Sequence, residues 1–383
     1  MESLKFYEFF SGGGLARIGL GQDWDCVFAN DISPKKGASY RENFGEKCSL
    51  TIRDVTLLNL KVFNSPADMA WASFPCQDLS LAGNGVGING SRSGAFWGFW
   101  KIICDLTKAG KRVPIIALEN VVGLLTTNNG NDFSELMKTL VSKNYKVGAF
   151  VMDAVNFVPH SRPRLFVVAV SNEIEIQDGI SSLGPQSFLH PQKLLNCVDR
   201  LPNQVKEKWI WWNTPSPSPR RKKLEDIFEK EPLDVKWHSE LQTQRILSLM
   251  SKVNRDKIKQ AKALKKTVIG ALYRRTRVEK DLRVQRWEVR FDGLSGCLRT
   301  PAGGSSRQVI MEIDNQKIRT RLISKNEMAS LMGLNSNYVL PESYNDAYHL
   351  LGDAVVVPVV SFISKNLLLP LGKAVRCKKE MVA

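Results

Sequence analysis

A thiol, a carboxylate and two guanidinium groups stand beside predicted strands of this sequence. Cys76 follows an apolar run within SFPCQDLS, in a turn shaped by Pro75. Such a turn can keep a thiol partly exposed, and a nearby helix N-terminus or cation can lower its pKa and favour the nucleophilic thiolate. Glu119 ends the next predicted strand and is a candidate general acid. Arg162 and Arg164, just before the last strand, offer guanidinium forks to a carbonyl, a carboxylate or a phosphate.

The segment FYEFFSGGGL, residues 6–15, places a glycine turn directly after a predicted strand and before a predicted helix. Glycines in such a turn allow positive φ and let a ligand approach the backbone closely. The pattern is Phe-x-Gly-x-Gly, formed by Phe10, Gly12 and Gly14, and it differs from the GxGxxG of nicotinamide enzymes. A tight strand-to-helix turn without a ligand is the alternative interpretation.

Acidic residues follow the glycine turn in an order that suits a nucleoside cofactor. Asp31 ends a strand about 20 residues later, where a carboxylate can accept hydrogen bonds from a ribose diol. Ile32 could cover one face of an adenine ring, and Asp54 could accept from an exocyclic amine. Taken singly, these acids and Glu119 also fit helix caps, and Cys76 also fits a small core residue.

Apolar runs alternate with helical patterns over the first 170 residues. The predicted strands are 4–9, 25–30, 68–73, 114–119, 146–153 and 164–170. The predicted helices are 15–21, 34–44, 95–109 and 132–143. This alternation predicts an α/β fold with an open, mostly parallel sheet covered by helices, in which the active site lies at the carboxyl ends of the strands.

Other segments of the chain show other patterns. The Pro/Ser tract at 213–223 predicts an exposed loop, and the Gly/Asn/Ser-rich stretch 81–95 predicts a mobile loop that closes over bound substrate. Residues 326–335 predict a helix. Residues 354–369 predict a long apolar helix with Pro358 near its start, where a missing N–H costs little.

Composition excludes several classes of protein. The length of 383 residues is enough for two domains, or for one large domain with an insertion. The composition, with 43% hydrophobic residues, excludes collagen, coiled-coil and disordered proteins. Seven scattered cysteines without a CxxC pair argue against a disulfide framework or structural zinc, and four isolated histidines argue against a metal enzyme. The sequence has no run of about 18 apolar residues and no signal-peptide layout, so we expect an intracellular protein without a membrane span.

The charge of the chain predicts a polyanionic partner. The net charge is +16, and the segment from Arg200 to Arg290 carries 24 Lys or Arg against 11 Asp or Glu, a net of +13. The same segment holds five of the nine tryptophans. Basic residues interleaved with aromatic ones suit phosphate contacts combined with stacking or groove insertion. The alternative is a solvated surface, with KVNRDKIKQAKALKK as a surface helix.

Together and in this order, these motifs resemble those of the cytosine-C5 DNA methyltransferases of the bacterial or phage modification type. The resemblance rests on the glycine turn, the Pro-Cys-Gln turn, Glu-Asn-Val at 119–121 and Arg-x-Arg at 162–164. It continues at LRTPAGGSS (298–306), LISKNEMASLMGL (322–334) and AYHLLGDAVVVPVV (347–360). The unmatched stretch, 171–290, is where the family carries its variable target-recognition region.

The resemblance implies S-adenosylmethionine as the methyl donor, no metal, and a class I methyltransferase fold of the Rossmann-like kind with a second, smaller domain. The implied cofactor-binding residues are Phe10, Ser11, Gly12, Gly14, Leu15, Asp31, Ile32, Asp54, Val55 and Pro75. The implied DNA-binding residues are Gln77, Ser80, Arg92, Gly303 and Gly304.

The resemblance also implies a mechanism. Cys76 would attack C6 of a cytosine flipped out of the duplex, and Glu119 would hydrogen-bond the ring N3 and the exocyclic amine. Glu119 would thereby assist protonation, so that C5 becomes nucleophilic. Arg164 would hold the cytosine carbonyl oxygen, and Arg162 would support the pocket or a phosphate. C5 would then take the methyl group, and loss of the C5 proton would expel Cys76.

Two positions depart from the family pattern. His160 stands where the arginine motif usually begins with Gln, and Asp353 stands where the C-terminal motif usually has Asn. Aspartate keeps an acceptor but loses a donor, so either departure could alter the anchoring of the loop near Cys76. We expect activity to survive, because Cys76, Gln77, Glu119 and both arginines are present.

The implied catalytic domain comprises 1–175 and 345–383, and the implied target-recognition domain comprises 176–344. Double-stranded DNA would lie in a basic cleft between the two domains and would bind less tightly as salt increases. We expect a cytoplasmic, nucleoid-associated monomer. A functional pairing with a cognate restriction endonuclease stays open.

Three rival functions remain. An RNA cytosine methyltransferase acting on tRNA would keep the chemistry, but the basic insertion at 171–290 and the Pro-Cys-Gln turn favour DNA. A catalytically silent DNA-binding module is opposed by intact Cys76 and Glu119. A nicotinamide oxidoreductase is opposed by the missing GxGxxG.

Overall fold

The computed structural model describes residues 3–46, 48–75, 94–279, 281–300 and 307–382, which form two compact units. Unit 1 comprises Met1–Asp153, Pro163–Pro217 and Val359–Ala383, and unit 2 comprises Ala154–Arg162 and Ser218–Pro358. The division into catalytic and target-recognition domains stays a prediction. The units differ from its boundaries, because 176–217 clusters with unit 1 and 345–358 with unit 2.

Unit 1 is built on a seven-stranded sheet. Its strands are β1 (Leu4–Phe9), β2 (Trp24–Asp31), β3 (Leu50–Ile52), β4 (Met69–Ala72), β5 (Ile115–Val121), β6 (Tyr145–Asp153) and β7 (Pro163–Ser171). The spatial order is β3-β2-β1-β4-β5-β7-β6. The first five strands are mutually parallel, whereas β7 runs antiparallel to both β5 and β6. Strand β4 is buried along its whole length, as a central strand covered on both faces must be.

The C-terminal segment of unit 1, from Val359, is helical, and six further α-helices in the described part of the chain precede Pro217. They are α1 (Leu15–Leu20), α2 (Pro34–Phe44), α3 (Ala95–Lys108), α4 (Asn131–Val141), α5 (Gln192–Asp199) and α6 (Asn203–Lys206), with a short ribbon of β8 (Ser181–Ser182) and β9 (Trp211–Trp212). Helix α3 shows why these segments fold as they do. Its buried residues include Phe96, Phe99, Trp100 and Ile103, which fall on one helical face and join the main apolar core.

The sequence-based prediction is confirmed for these elements. All six predicted strands and all four predicted helices of the first 170 residues are present, with ends shifted by at most two residues. The mostly parallel sheet is also confirmed, and the Pro/Ser tract at 213–223 is a loop. The prediction missed β3, whose three residues are too few to show a period.

Unit 2 packs two helices on an antiparallel sheet. The helices are α7 (Glu240–Ser248) and α8 (Lys252–Ala263), and the strands are β10 (Val268–Glu279), β11 (Leu282–Arg290), β12 (Val309–Asp314) and β13 (Lys317–Leu322). The strand order is β11-β10-β12-β13. Ile246, Ile258, Leu272 and Met311 belong to its apolar core. The helices α9 (Lys325–Leu331) and α10 (Tyr344–Asp353) complete the unit.

The start of α9 explains part of the 322–334 motif. Ser324 and Glu327 form a capping box, in which each side chain accepts from the other residue's backbone N–H. The buried guanidinium of Arg321 also donates two hydrogen bonds to the Glu327 carboxylate, at 2.8 and 2.6 Å. Removing either partner alone would leave a buried charge uncompensated, so this motif residue is structural.

The long apolar helix predicted over 354–369 is present with different ends. It begins with α11 (Val357–Ile363), after a short break that follows the end of α10 at Asp353. Pro358 lies in the first turn of α11, as predicted, and a proline there cannot continue a preceding helix. The chain then continues through a π-helical turn (Ser364–Leu368) into α12 (Leu369–Val382), beyond the predicted end.

Among the described residues, one helical run, Tyr344–Met381, is long and apolar enough to cross a membrane by length and composition alone. Its most apolar window is 56% buried inside the protein. Core helices of globular proteins pass the same test, so this run is weak support for a span. The expectation that the chain lacks a membrane span stays a prediction.

Candidate active site

The predicted site residues of unit 1 lie at one edge of its sheet. The parallel strands β1 to β5 all end there, which places the segments after Phe9, Asp31, Ile52, Ala72 and Val121 side by side. Antiparallel β7 begins at this edge, since Arg164 is the register partner of Val121. Strand order reverses direction around β1 and β4, and ligands of open α/β sheets bind at such a switch point.

The glycine turn after β1 has an unusual backbone. Phe10 has φ 57° and Gly12 φ 56°, both in the left-handed region that a bulky aromatic residue rarely adopts. Ser11 is buried, and its hydroxyl has no hydrogen-bond partner among the described residues. A Cβ added to Gly12 would meet nothing within 4 Å of the described structure. The turn therefore has a strained backbone at Phe10, a buried Ser11 hydroxyl without a partner among the described residues, and space beside Gly12. Together these features favour a ligand-binding turn over a tight turn without a ligand.

Gly14 and Leu15 have a packing role. Gly14 has φ 77°, and a Cβ there would lie 2.2 Å from the ring of Phe44 and 2.9 Å from that of Tyr40. Leu15 is buried. Gly14 is thus required so that α1 can start close against α2. At Gly12, by contrast, no neighbouring atom would meet a side chain.

Asp31 braces the glycine turn. One carboxylate oxygen accepts from the Gly12 N–H at 2.8 Å, and the other accepts from the Ser33 N–H at 2.8 Å. Each carboxylate oxygen has a second lone pair, so Asp31 can hold the turn and still accept from a ligand hydroxyl. Ile32, next in the chain, is 65% exposed although apolar, and its contact with an adenine ring stays a prediction.

Asp54 lies after β3 and caps a short 3-10 turn. Its carboxylate accepts from the Thr56 N–H at 2.8 Å, and Val55 beside it is buried in the core. Asn30 holds this segment at the sheet edge, donating to the carbonyls of Thr51 (3.0 Å) and Arg53 (2.8 Å). The capping interpretation of Asp54 is therefore present in the structure, and a ligand contact stays a prediction.

Glu119 and Arg164 form an ion pair. The Arg164 Nε lies 3.0 Å from a carboxylate oxygen of Glu119, and both side chains are largely buried. Glu119 is the register partner of Phe166, so Arg164 lies two residues along on the same face of the neighbouring strand. Such diagonal neighbours are within reach of long side chains. The antiparallel pairing of β5 and β7 therefore creates this pair.

Asn120 links the Glu119 strand to the segment that leads into Cys76. Its side chain donates to the Phe74 carbonyl at 3.0 Å and accepts from the Val121 N–H at 2.8 Å. Pro75 is exposed. Cys76, Gln77, Ser80, Arg92, Gly303 and Gly304, together with most of the predicted 81–95 loop, lie outside the described residues. The Asn120 bond nevertheless fixes the chain two residues before Cys76 to the strand end that carries Glu119.

Arg162 belongs to unit 2 and is 2% exposed. Its guanidinium donates to three backbone carbonyls, those of Leu298 (2.6 Å), Gly352 (2.8 Å) and Ala354 (2.7 Å). A side chain whose donors are committed to carbonyls in this way positions other segments. This favours a role for Arg162 in holding the 298 and 352–354 segments over a contact with a phosphate.

The two residues that depart from the family pattern have partners in unit 2. The buried His160 accepts from the Leu298 N–H at Nε2, 3.0 Å away, and its Nδ1 lies 3.2 Å from the Leu331 carbonyl. The neutral tautomer with a proton on Nδ1 satisfies both bonds. Asp353 accepts from the Thr300 hydroxyl. Histidine and aspartate therefore both have hydrogen-bond partners here. That activity survives the two departures stays a prediction.

A buried polar cluster beneath the glycine turn was not predicted. Glu8 is fully buried in β1 and accepts from the Tyr40 hydroxyl at 2.9 Å and from the Arg17 N–H at 3.2 Å. Burial raises the pKa of Glu8 to about 7. Burial also raises the pKa of Cys26 to about 12 and that of Tyr40 far above its usual range, so Glu8 alone titrates near neutral pH in this cluster.

We expect Glu8→Gln to reduce the pH dependence of stability. The folded protein binds the Glu8 proton more tightly than the unfolded chain, so the stability that this residue contributes at low pH is lost as pH rises from about 4.5 to about 7. The loss is about 1–3 kcal/mol and is absent from the variant. Urea unfolding of both proteins between about pH 5 and pH 8 measures the difference. Parallel pH curves would contradict the raised pKa.

Sequence reasoning missed Asn30, Asn120 and Glu8 as positioning residues. A signal existed, because each is a polar residue within a strand of mostly apolar residues and must be hydrogen-bonded when buried. No group of three or more His, Cys, Asp or Glu that could hold a metal ion occurs in the described part of the chain.

Comparisons with known proteins point to one family. The family model for C-5 cytosine-specific DNA methylase matches residues 4–368. The Type II methyltransferase M.MspI of Moraxella sp is 26% identical over 371 residues, covering 96% of this chain and 71% of that protein. The Type II methyltransferase M.HpaII of Haemophilus parainfluenzae is 26% identical over 392 residues, covering 97% and 91%.

A solved structure supports the fold. The crystal structure of S. pombe Dnmt2 methyltransferase matches with a TM-score of 0.59 and 19% identity, covering 97% of this chain and 99% of that one. At this identity the similarity concerns architecture alone. It agrees with the predicted methyltransferase fold, which the mostly parallel sheet of unit 1 confirms.

Proposed function

Because the chain belongs to the C-5 cytosine-specific DNA methylase family of DNA (cytosine-5-)-methyltransferases, we propose that it methylates a flipped-out cytosine of a specific duplex sequence through a covalent adduct with Cys76. The observation that carries this proposal is the Glu119–Arg164 ion pair, at 3.0 Å, on the same sheet edge as the glycine turn. The pair supports the proposal because a carboxyl group and a guanidinium group side by side can both hydrogen-bond the polar edge of one ring.

The methyl donor proposed is S-adenosylmethionine, and the residues at the glycine turn fit it. Ser11 offers a buried hydroxyl without a partner among the described residues, and Gly12 offers space beside the backbone. Asp31 would hold the ribose diol, and the exposed Ile32 would cover the adenine. The donor supplies an electrophilic methyl group when bound. The carboxylate of Asp54 would accept from the adenine amine.

The chemistry needs a thiol and an acid in one cleft, because cytosine C5 is a poor nucleophile until a thiolate adds at C6. The Cys76 sulfur forms a bond to C6 while Glu119 hydrogen-bonds N3 and the exocyclic amine, which lets electron density reach C5. Arg164 holds the carbonyl oxygen of the ring. C5 would take the methyl group as the bond from that carbon to the donor's sulfonium sulfur breaks, with S-adenosylhomocysteine as the leaving group. A base then removes the C5 proton, and the C6–S bond breaks to release Cys76 as thiolate.

Remaining residues are proposed for positioning and for DNA contact. Arg162 would act through the segments that its guanidinium holds, and Gln77, Ser80, Arg92, Gly303 and Gly304 would contact DNA. The catalytic domain would comprise 1–175 and 345–383, and residues 176–344 would read the target. Since the relatives named above are Type II methyltransferases, a restriction-modification role is proposed, performed by a cytoplasmic monomer.

The proposed function is tested by methyl transfer from labelled S-adenosylmethionine to unmodified plasmid DNA and, in parallel, to bulk tRNA. We expect label in DNA, and bisulfite sequencing should locate it at cytosines within one short motif. Label in tRNA alone would assign the chain to RNA modification. Label in neither substrate would favour a silent DNA-binding module.

A further inference from the structure

A buried carboxylate lies beneath the glycine turn, and the proposed chemistry does not use it. Glu8 is on β1, two residues before the strained Phe10, and is 0% exposed. One of its oxygens accepts from the Arg17 N–H, in the first turn of α1, at 3.2 Å. The other accepts from the Tyr40 hydroxyl of α2 at 2.9 Å. Glu8 therefore ties β1 to α2 and to α1, the helix that begins directly after the glycine turn.

The hydrogen bonds around Glu8 can accommodate a proton on its carboxylate. The Tyr40 hydroxyl also accepts from an Arg17 guanidinium nitrogen at 3.2 Å and lies 3.6 Å from the Cys26 sulfur. Because the Cys26 thiol donates to the Phe28 carbonyl at 3.4 Å, its sulfur can accept the Tyr40 hydrogen. The Tyr40 oxygen can then accept from a protonated Glu8. The other Glu8 oxygen keeps its bond to the Arg17 N–H in both states, so the charge can change while the backbone contact is retained.

The charged groups that act on Glu8 lie on two elements next to β1. Arg17 of α1 favours the ionised carboxylate, and Asp31 at the end of β2 opposes it. Cys26 of β2 and Tyr40 of α2 stay protonated near neutral pH, because burial raises the pKa of both. Strand β4, which also pairs with β1, consists of Met-Ala-Trp-Ala and has no titratable side chain. Glu8 is therefore the group of this cluster whose charge changes.

The change in charge occurs near neutral pH. Burial raises the pKa of Glu8 to about 7. With Arg17 counted as +1 and Asp31 as −1, the three groups sum to zero when Glu8 is protonated and to −1 when it is ionised. Asp31 links this charge to the turn, since its carboxylate accepts from the Gly12 N–H at 2.8 Å. A cationic ligand beside the turn is therefore bound more tightly when Glu8 is ionised.

We propose that Glu8 is a specificity-determining residue that favours the cationic methyl donor over its demethylated product at the glycine turn. S-adenosylmethionine carries a sulfonium charge, whereas the sulfur of S-adenosylhomocysteine is neutral. The ionised Glu8 therefore stabilises the complex with the donor more than the complex with the product. By linkage, the bound donor lowers the pKa of Glu8 and releases a proton. The inference rests on the proposed function for the identity of the cofactor.

The proposal is tested by calorimetric titration of the protein with each cofactor, without DNA, between about pH 6 and pH 8. Over this range the affinity of wild type for S-adenosylmethionine should rise about five- to tenfold more than that of Glu8→Gln. The variant keeps the shape of the side chain without its charge, so the comparison removes the titration of the ligand's own amino group. For S-adenosylhomocysteine the same comparison should differ by less than about twofold.

Two results of this titration would overturn the proposal. Parallel pH profiles of wild type and Glu8→Gln for S-adenosylmethionine would show that the charge of Glu8 does not act on the donor. An equal effect of Glu8→Gln on the profiles of both cofactors would show that the sulfonium charge is not what Glu8 recognises.

Proton release is a readout that a merely structural role of Glu8 would not change. Titration in buffers of different ionisation enthalpy at about pH 6.5 should show about half a proton more released per donor bound by wild type than by Glu8→Gln. Glu312→Gln is the matched control, because Glu312 is a buried carboxylate of β12 in the other unit. It should release as many protons as wild type. Equal release by wild type and Glu8→Gln would contradict the proposal.

A second variant tests the proposal even if Glu8→Gln folds poorly. The Tyr40 hydroxyl favours the ionised form of Glu8, so Tyr40→Phe should raise the pKa of Glu8 further and move the rise in donor affinity to higher pH. The phenyl ring keeps the packing against Phe44. Thermal melting at each pH checks that the variants are folded. An unchanged midpoint in Tyr40→Phe would assign the titration to another group and overturn the proposal.

The outcomes separate this inference from the proposed function. Donor binding with the expected pH dependence but without methyl transfer to DNA would overturn the proposed function and leave the role of Glu8 intact. Methyl transfer to DNA with the same donor-affinity profile in wild type and Glu8→Gln would overturn the role of Glu8 alone. Binding of neither cofactor by the wild-type protein would overturn both.

Discussion

Cys76→Ser should abolish methyl transfer to DNA, by at least about 10³-fold, while duplex affinity stays within about threefold of wild type. A serine hydroxyl is a far weaker nucleophile than a thiolate, so C6 of the ring would not be attacked and C5 would not be activated. The size of the substituted atom changes little, so binding should survive. Cys377→Ser is a matched control, because Cys377 is an exposed cysteine in α12.

The same variant tests covalency directly. In duplex DNA with 5-fluorocytosine at the target position, C5 carries fluorine where the natural base has the proton that must leave. After methyl transfer the adduct has no proton to lose, so the Cys76–C6 bond should persist as a complex that survives denaturing electrophoresis. We expect that complex for wild type and Cys377→Ser and its absence for Cys76→Ser. A loss of DNA affinity along with activity in Cys76→Ser would make Cys76 a structural residue.

The fold of unit 1 was largely predictable because local pattern and global fold agree there. Strands such as β5 and β7 are buried apolar runs of strand length, and α3 shows helical spacing of aromatic residues. Unit 2 was less predictable. Strand β10 is apolar in its first half and arginine-rich in its second, and its partner β12 lies about 40 residues further on, so neither period nor neighbourhood reveals the sheet.

Contacts between individual residues of the candidate site were also not predictable from local sequence patterns. Sequence order placed Glu119 and Arg164 at strand ends, but their contact depends on β7 lying next to β5 with antiparallel register, which no local pattern encodes. Arg162 lies only two residues from Arg164 in the chain, but it precedes β7. Its guanidinium donates to backbone carbonyls of unit 2. The residue types alone gave both arginines the same candidate partners, whereas their tertiary contacts differ.

Glu119→Gln should lower methyl transfer by about 10²- to 10⁴-fold, the contribution typical of a positioned general acid. The amide keeps the shape of the side chain but has no acidic proton to share with N3 of the ring. Binding of the duplex should change less than about threefold, because Glu119 contacts only the base that has left the stack. Single-turnover methyl transfer and anisotropy measure the two quantities separately.

A control variant must separate the chemical effect of Glu119→Gln from the loss of stability that follows when a buried carboxylate beside an arginine is removed. Glu312→Gln supplies it, since Glu312 accepts from Arg319 Nε at 2.8 Å and its side chain is 7% exposed against 8% for Glu119. Both variants should lose comparable stability in urea, because each leaves a guanidinium beside a neutral amide. Only Glu119→Gln should slow both methyl transfer and formation of the 5-fluorocytosine adduct, since Glu119 acts before the C6–S bond is complete. Equal rates for the two variants would reduce Glu119 to a structural partner of Arg164 and leave the acid of the reaction unassigned.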